Sequence, residues 1–351
     1  MISRSDTSVY NISSQTHSDS ASLEKTAHSP IFIFGSARSG TSLLSRIVGA
    51  HPHIAIPFES HLYNTFYPWL KYYGDLKVAK NRERLLDDIL STEVMRDWCP
   101  QPDRQRTLEA IEDFSFHGVV NSLMQEWTTA QGKQRWGEKT PWHVFYWREI
   151  LDGFPKAKII HIVRDGRDAS LSWKRARFGP KHIYPLAQRW VQYLNLINEM
   201  KAVVDQSAFF EVRYEDLLAN PERIAHEICD FLDEPFSPEM LAFYSNNAPY
   251  PTDQQNQKNL TKPILPENTG KWRTEMTERE IRIFEAIAGS MLEHYGYERH
   301  FAQPQVTPLE VLRFKYVEHL PLKLLSMVKN RKGHIDGLRR LKIYLRLRLG
   351  L

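Results

Sequence analysis

The sequence predicts an α/β fold, a P-loop-like parallel sheet flanked by helices on both faces. Two observations carry that prediction. Apolar runs short enough to be buried strands (31–34, 158–163 and 209–214) alternate with longer stretches of helical periodicity. Two of those runs end in the same succession, a polar turn and then a helix start, at 35–41 and at 164–169. Ligands bind outside the carboxyl ends of strands in such sheets, so both turns are candidate binding positions.

The first turn organises the rest. Pro30 to Ser42 reads PIFIFGSARSGTS: a buried strand, a loop bracketed by Gly35 and Gly40, and a helix opening at Thr41. Backbone N–H groups at such a helix start, its dipole, and the hydroxyls of Ser39, Thr41 and Ser42 make a cradle for an anion. The Gly35-x-x-x-x-Gly40 spacing fits a P-loop, but Thr41 stands where a nucleotide triphosphatase needs Lys, and the cation, Arg38, lies inside the loop. An ordinary strand–turn–helix corner would explain the glycines. It would not explain an Arg among so many hydroxyls.

At 351 residues the chain can form one large α/β domain. Cys99 and Cys229 form no metal-like or redox spacing, which predicts a reducing, cytoplasmic compartment. Neither a membrane-spanning run nor a secretory signal layout is present. Residues 305–351 hold eleven Lys+Arg against three Asp+Glu, a net +8, so the remainder of a chain totalling +4 sums to −4. Basicity confined to one end argues against a nucleic-acid surface on the folded body.

In chain order, residues 1–29 read as a disordered Ser/Thr-rich leader, 30–304 as the folded domain and 305–351 as a basic, helix-prone tail. The tail is compatible with peripheral membrane contact or with a plain solvated helix, and Pro321, Gly333 and Gly337 are expected to divide it. Ile54 to Phe58 reads as a short strand that delivers Glu59 to a strand end. The aromatics from Tyr63 to Tyr73 read first as packing and second as a ligand-pocket lining. Residues 75–135 read as a helical insertion with helices at 82–90, 108–114 and 119–127. Lys139 precedes a Thr140-Pro141 helix start, where a solvated charge is the plainer explanation.

The second turn, Arg164-Asp165-Gly166-Arg167-Asp168, follows the strand Lys158–Val163 and offers a second phosphate-sized site. Arg164 is its forked phosphate partner and Ser172 lies two turns along the following helix; Arg167 and Asp168 read as a salt-bridged turn. Helices are expected at 185–204, 221–232 and 277–292, the last with a Thr277…Glu280 capping box. Residues 246–274 read as a long functional loop carrying Lys258, Lys262, Lys271 and Arg273.

The FGSARSGTSLL loop, the IIHIVRDGRDASLSW strand–turn–helix and the Gly270-Lys271-Trp272-Arg273 loop end, in that order, resemble the sulfotransferases that use 3'-phosphoadenosine 5'-phosphosulfate, PAPS. The likeness spans roughly residues 30–300. Arg38-Ser39-Gly40-Thr41 followed by Ala50-His51-Pro52 is similar to the branch holding bacterial and tyrosylprotein sulfotransferases. That resemblance implies a sulfotransferase architecture with Glu59 as the general base and Lys139 and Arg38 as catalytic cations. It implies cofactor contacts from Arg38, Ser39, Gly40, Thr41, Ser42, Arg164, Ser172, Tyr214 and Lys262, with PAPS as co-substrate and no metal. The motifs leave the acceptor hydroxyl open among a lipid, a carbohydrate and a phenolic metabolite; the aromatic run and helical insertion suggest an apolar or ring-bearing one. Cytosolic small-molecule sulfotransferases use a loop Lys and a His base, and this chain departs from them. Two other classes remain on the residues alone: a P-loop kinase or NTPase, with Asp165 its only strand-end magnesium ligand, and a non-catalytic anion- or membrane-binding protein of the same fold.

Overall fold

The computed structural model describes residues 29–176, 179–245, 260–329 and 331–350. The leader, apart from Ser29, and residues 246–259 of the long loop, Lys258 among them, lie outside the described residues. Strands β1 (Ile31–Phe34), β2 (Ile54–Ala55), β3 (Arg135–Glu138), β4 (Lys158–Val163) and β5 (Phe209–Arg213) form one sheet in the order β2-β3-β1-β4-β5. Every pairing is parallel.

Strand side chains alternate between faces, and both faces are apolar, so helices must cover both. Ile31, Ile33, Ile160, Ile162 and Val212 pack against the helices Thr41–Gly49 and Pro221–Leu232 through Leu44, Ile47, Ile224 and Ile228. Phe32, Phe34, Trp136 and Ile159 face the helices Phe116–Ala130 and Ile183–Lys201. The helix Pro221–Leu232 occupies the predicted span with Pro221 in its first turn, and the capping box of Thr277 and Glu280 starts the helix Glu278–His294.

Three expectations change. β3 was not foreseen, because the sequence RWGE carries a charge at each end and has no apolar run. Both charges are nonetheless buried: Arg135 donates to Ser29 O (2.8 Å) and Leu232 O (2.6 Å) and pairs with Glu234 (3.2 Å). Strand β2 ends at Ala55 rather than running to Phe58, as Pro57 lacks the N–H to continue it. The helix expected at 108–114 lies instead at Arg104–Glu109, where the Asp103 carboxylate accepts from Arg106 N–H (2.9 Å) and fixes the start.

The tail is more continuous than its glycines and proline suggest. Helical structure runs through Pro308–Leu312, a π-helical stretch Arg313–His319, Leu320–Lys329 and Arg331–Leu349. Pro321 sits at the second residue of its helix, next to the widened turn, where a missing N–H costs least. Gly333 and Gly337 lie inside Arg331–Leu349. That helix is held by its inner face: Ile343 and Leu347 join the core, Tyr344 meets Trp69 and Tyr72, and Arg346 pairs with Asp88.

A buried charge cluster ties the second turn to the far layer. Arg167 is essentially inaccessible; its guanidinium bonds Asp165 (2.7 Å), Glu285 (2.7 Å) and Glu298 O (2.8 Å) and lies over the Trp272 ring at 3.5 Å. Removing one partner of such a cluster leaves uncompensated charge in the interior. Arg167→Met is therefore expected to lose about 3–5 kcal/mol of unfolding free energy, measured by urea denaturation. A loss under about 1 kcal/mol would mean that Asp165 and Glu285 are not held by this side chain.

Candidate active site

The adjacency of β1 and β4 brings the two polar turns together. Their register pairs Phe34 with His161, so Gly35 leaves the sheet beside Ile162, whose carbonyl oxygen would lie 2.6 Å from a Cβ at Gly35. Gly40 has φ +96° and packs on the Tyr214 ring, 2.4 Å from where a Cβ would be. Arg38 takes up a left-handed φ of 74°. No side chain caps the loop helix Thr41–Gly49, which leaves its first N–H groups for a ligand.

Arg38 Nε donates to Ser172 Oγ at 3.0 Å, and Arg164 donates to Arg38 O at 3.4 Å and to Asn268 O at 2.9 Å. The Arg164 guanidinium also lies 4.3 Å from the centre of the Tyr214 ring, whose hydroxyl accepts from Asn268 Nδ2 at 2.7 Å. Arg38, Arg164, Ser172 and Tyr214 thus form one cluster, although the chain separates Arg38 from Ser172 by 134 residues. The second turn differs from the first: Asp165 caps its own helix by accepting from Arg167 N–H, so an anion there would meet side chains rather than free helix N–H groups.

Glu59 and Lys139 form the second cluster. Lys139 is buried and donates to Glu59 Oε1 at 2.7 Å and to Ser42 Oγ at 3.3 Å. His61 stands 3.4 Å from the other carboxylate oxygen. Burial pushes the Glu59 carboxyl up, but Lys139 and His61 outweigh it and hold the group well below the ordinary carboxylate range. Lys139 is not the solvated charge its local sequence suggests.

Sequence reasoning missed what fixes these two side chains. Glu138, the last residue of β3 and the neighbour of Lys139, accepts from Ser60 Oγ (2.7 Å), Thr140 Oγ1 (2.6 Å) and the ring of His143 (2.8 Å). Burial raises its pKa, yet His143 and the hydroxyls hold it down at about 2. Only the WGEKTP run, adjacent to Lys139, hinted at it.

One cleft of about 860 Å³ has Arg38, Gly40, Thr41, Ser42, Glu59, Arg164, Ser172 and Tyr214 on its wall, with Lys139 buried behind Glu59 and Ser42. Ser39 is buried, and neither its Oγ nor Arg164 Nε has a hydrogen-bond partner among the described residues. Such orphaned donors fit an anion. Lys262 is exposed between the cleft-lining residues Leu260 and Pro263, whereas Lys271 lines the cleft itself. Asp168 anchors this loop, accepting from the N–H groups of Gly270 (2.7 Å) and Trp272 (2.8 Å). Tyr63, Phe66 and Tyr73 are core; Phe58 lines the cleft. The first turns of the helix Arg331–Leu349 also reach the cleft, through Ile335, Asp336, Arg339 and Arg340.

Among the described residues, His51, His53 and Glu234 could offer ligand atoms to one metal ion. They are otherwise engaged: His51 bonds Pro235 O (2.8 Å) through Nε2 and accepts from His53 N–H (3.1 Å) through Nδ1, while Glu234 holds His53 and Arg135.

Fold and site define a P-loop-like parallel sheet with an anion-suited cleft at its strand ends. The chain belongs to the Sulfotransferase family, whose profile matches residues 30–238. It is the family that its motifs resemble. An omega-hydroxy-beta-dihydromenaquinone-9 sulfotransferase of Mycobacterium bovis is 24% identical over 79% of this chain and 78% of its own length. A Drosophila melanogaster protein-tyrosine sulfotransferase is 24% identical over 78% of this chain and 52% of its own. The chain also matches 30% of the length of an uncharacterised Aquifex aeolicus protein, at 25% identity. The sulfotransferase domain of the Synechococcus PCC 7002 olefin synthase superimposes with a TM-score of 0.52, at 25% identity, covering 74% of this chain and 94% of that one.

The Glu59–Lys139 pair sets a pH dependence. A carboxyl depressed in the folded state stabilises it above the unfolded pKa, and that contribution is lost as pH falls through the folded value. Lys139→Met leaves burial opposed by His61 alone, so the Glu59 titration midpoint, read by carbon NMR of labelled side chains, is expected to move upward. An unmoved midpoint would separate the two groups.

Proposed function

We propose that the protein moves a sulfuryl group from PAPS to an acceptor hydroxyl on a lipid, carbohydrate or phenolic metabolite. The observation that carries this reading is that Glu59 and Ser42, both held by buried Lys139, share one cleft with Arg38, Arg164 and Ser172. PAPS supplies the sulfuryl group on a phosphate leaving group. Glu59 takes the acceptor proton as the acceptor oxygen bonds sulfur and the sulfur–oxygen bond to the phosphate breaks, leaving PAP. Lys139 and the loop N–H groups stabilise the departing phosphate oxygen, and Ser39, Gly40, Thr41 and Ser42 cradle the 5'-phosphate.

Arg164 and Ser172 hold the 3'-phosphate. Arg38 joins them in its observed position, so its catalytic share requires it to leave Ser172 when the donor binds. Tyr214 and Asn268 flank the same turn, and Lys271 is better placed than Lys262 to approach the nucleotide. Donor binding raises Glu59 as a base, because Lys139 divided between carboxylate and phosphosulfate lowers the Glu59 pKa less. The tail makes the peripheral membrane contact of this reading. The kinase reading is weaker: Asp165, its only strand-end magnesium ligand, is bound to Arg167 through N–H, Nε and a terminal nitrogen at 2.7–3.0 Å.

Glu59→Gln is expected to cut turnover of labelled PAPS by roughly two orders of magnitude or more while PAP affinity, from calorimetry, stays nearly intact. Unchanged turnover would remove Glu59 as the base. Arg164→Ala is expected to weaken PAP roughly ten- to a hundredfold and adenosine 5'-monophosphate, which lacks the 3'-phosphate, far less. Equal losses for both nucleotides would move Arg164 away from the 3'-phosphate.

A further inference from the structure

The helix Arg331–Leu349 has two apolar faces where a surface helix needs one. The inner face is used by Ile343 and Leu347 in the core. On the outer face Leu338, Leu341, Leu345 and Leu349 recur at helical spacing and are 46–68% exposed, with Lys342 and Arg348 exposed beside them. Single exposed leucines need no explanation, but a continuous stripe of four flanked by cations marks a surface that another phase covers. The preceding arm repeats the pattern with exposed Leu309, Leu312, Tyr316, Leu320 and Leu324.

The same helix is a wall of the cleft. Ile335, Asp336, Arg339 and Arg340 line it; Arg339 pairs with Glu93, and Arg340 pairs with Asp336 and donates to Thr65 Oγ1 at 3.4 Å. Whatever seats the outer stripe therefore sits beside the mouth of the cleft.

We propose that the outer face of Arg331–Leu349 docks on an anionic lipid surface, and that the acceptor hydroxyl enters the cleft from that surface past Ile335, Arg339 and Arg340. Charge selects the occupant. The tail carries +8 and the rest of the chain −4, so an anionic bilayer attracts this face and repels the remainder, while a second copy would set Lys342 and Arg348 against their equals. Each basic residue brought to an anionic surface adds roughly fivefold in affinity. The acceptor half rests on the sulfuryl-transfer reading: the lipid oxygen gains the sulfuryl group, Glu59 takes its proton and PAP departs. The docking half stands without it.

The test is flotation of the full chain with phosphatidylglycerol-containing and pure phosphatidylcholine vesicles, beside PAP calorimetry and sedimentation velocity. Wild type is expected to float with the anionic vesicles and to be released by raised salt. L341E/L345E is expected to float at least tenfold more weakly with an unchanged melting midpoint and PAP affinity, and K342E/R348E to lose the preference for anionic lipid. A wild type that ignores both vesicles, or an L341E/L345E variant that floats as well as wild type, overturns docking. Dimeric wild type made monomeric by L341E/L345E overturns it too, in favour of a second copy. For the mouth of the cleft, I335C on a C99S background carries an environment-sensitive dye. A blue shift on anionic vesicles supports passage from the membrane, and no shift on floated protein overturns it. Failure of wild type to bind PAP would sink the sulfuryl-transfer reading and leave the vesicle result standing.

Discussion

The parallel pairing of β1 with β4 is the constraint on which the site depends. Neighbouring strands lie about 4.8 Å apart, so two turns that leave them at matched register are forced into one another's company. Phe34 opposite His161 sets that register. Slipping it by a residue would turn the isoleucines and phenylalanines of β1 to the wrong faces, which both apolar layers forbid. The core thus fixes where Arg38 meets Ser172, and the hydrogen bond between them is a consequence of packing rather than of local sequence.

Given that frame, the cations divide their work. Arg38 and Arg164 gather around Ser172 and Tyr214, while Lys139 is held at Glu59 and Ser42. Each group has an internal carboxylate within reach, Asp168 at 3.8 Å from Arg164 and Glu59 at 2.7 Å from Lys139. A buried cation needs such a partner to stay charged. On the proposed reading an arriving phosphate competes with the carboxylate for the cation, and at Lys139 that competition changes the basicity of Glu59, the group proposed to take a proton. In that proposal, binding of the donor and activation of the base are one electrostatic event.

Much of this was legible in the sequence where signals are local. β1, β4 and β5 announce themselves as apolar runs, the loop glycines as a turn, and Thr277 with Glu280 as a helix start. β3 is silent because burial of Arg135 and Glu138 is made possible by partners from residues 29, 60, 143, 232 and 234, none visible from the strand itself. The same blindness hides Lys139, which looks solvated until Glu59 is seen 80 residues away, and the trio His51, His53 and Glu234. The tail errs in the opposite direction: Gly333 and Gly337 are local breakers overridden by the contacts of Ile343, Tyr344 and Leu347.

The spacing of Glu59 and Lys139 has its own guarantor. Glu59 precedes Ser60, and Lys139 lies between Glu138 and Thr140; Ser60, Glu138 and Thr140 share hydrogen bonds around a single buried carboxylate. His143 closes the arrangement, reaching Glu138 through Nδ1 and accepting from Tyr63 N–H through Nε2, so it also pins the segment that follows Glu59. Glu59 and Lys139 come from different segments, yet each is one residue from this anchor. A carboxylate left half-satisfied in the interior would be costly, so every member holds the others to one geometry. Catalytic geometry tolerates errors of only about half an ångström, so on the proposed reading a network that cannot relax one arm without exposing the other is what holds Glu59 and Lys139 to it.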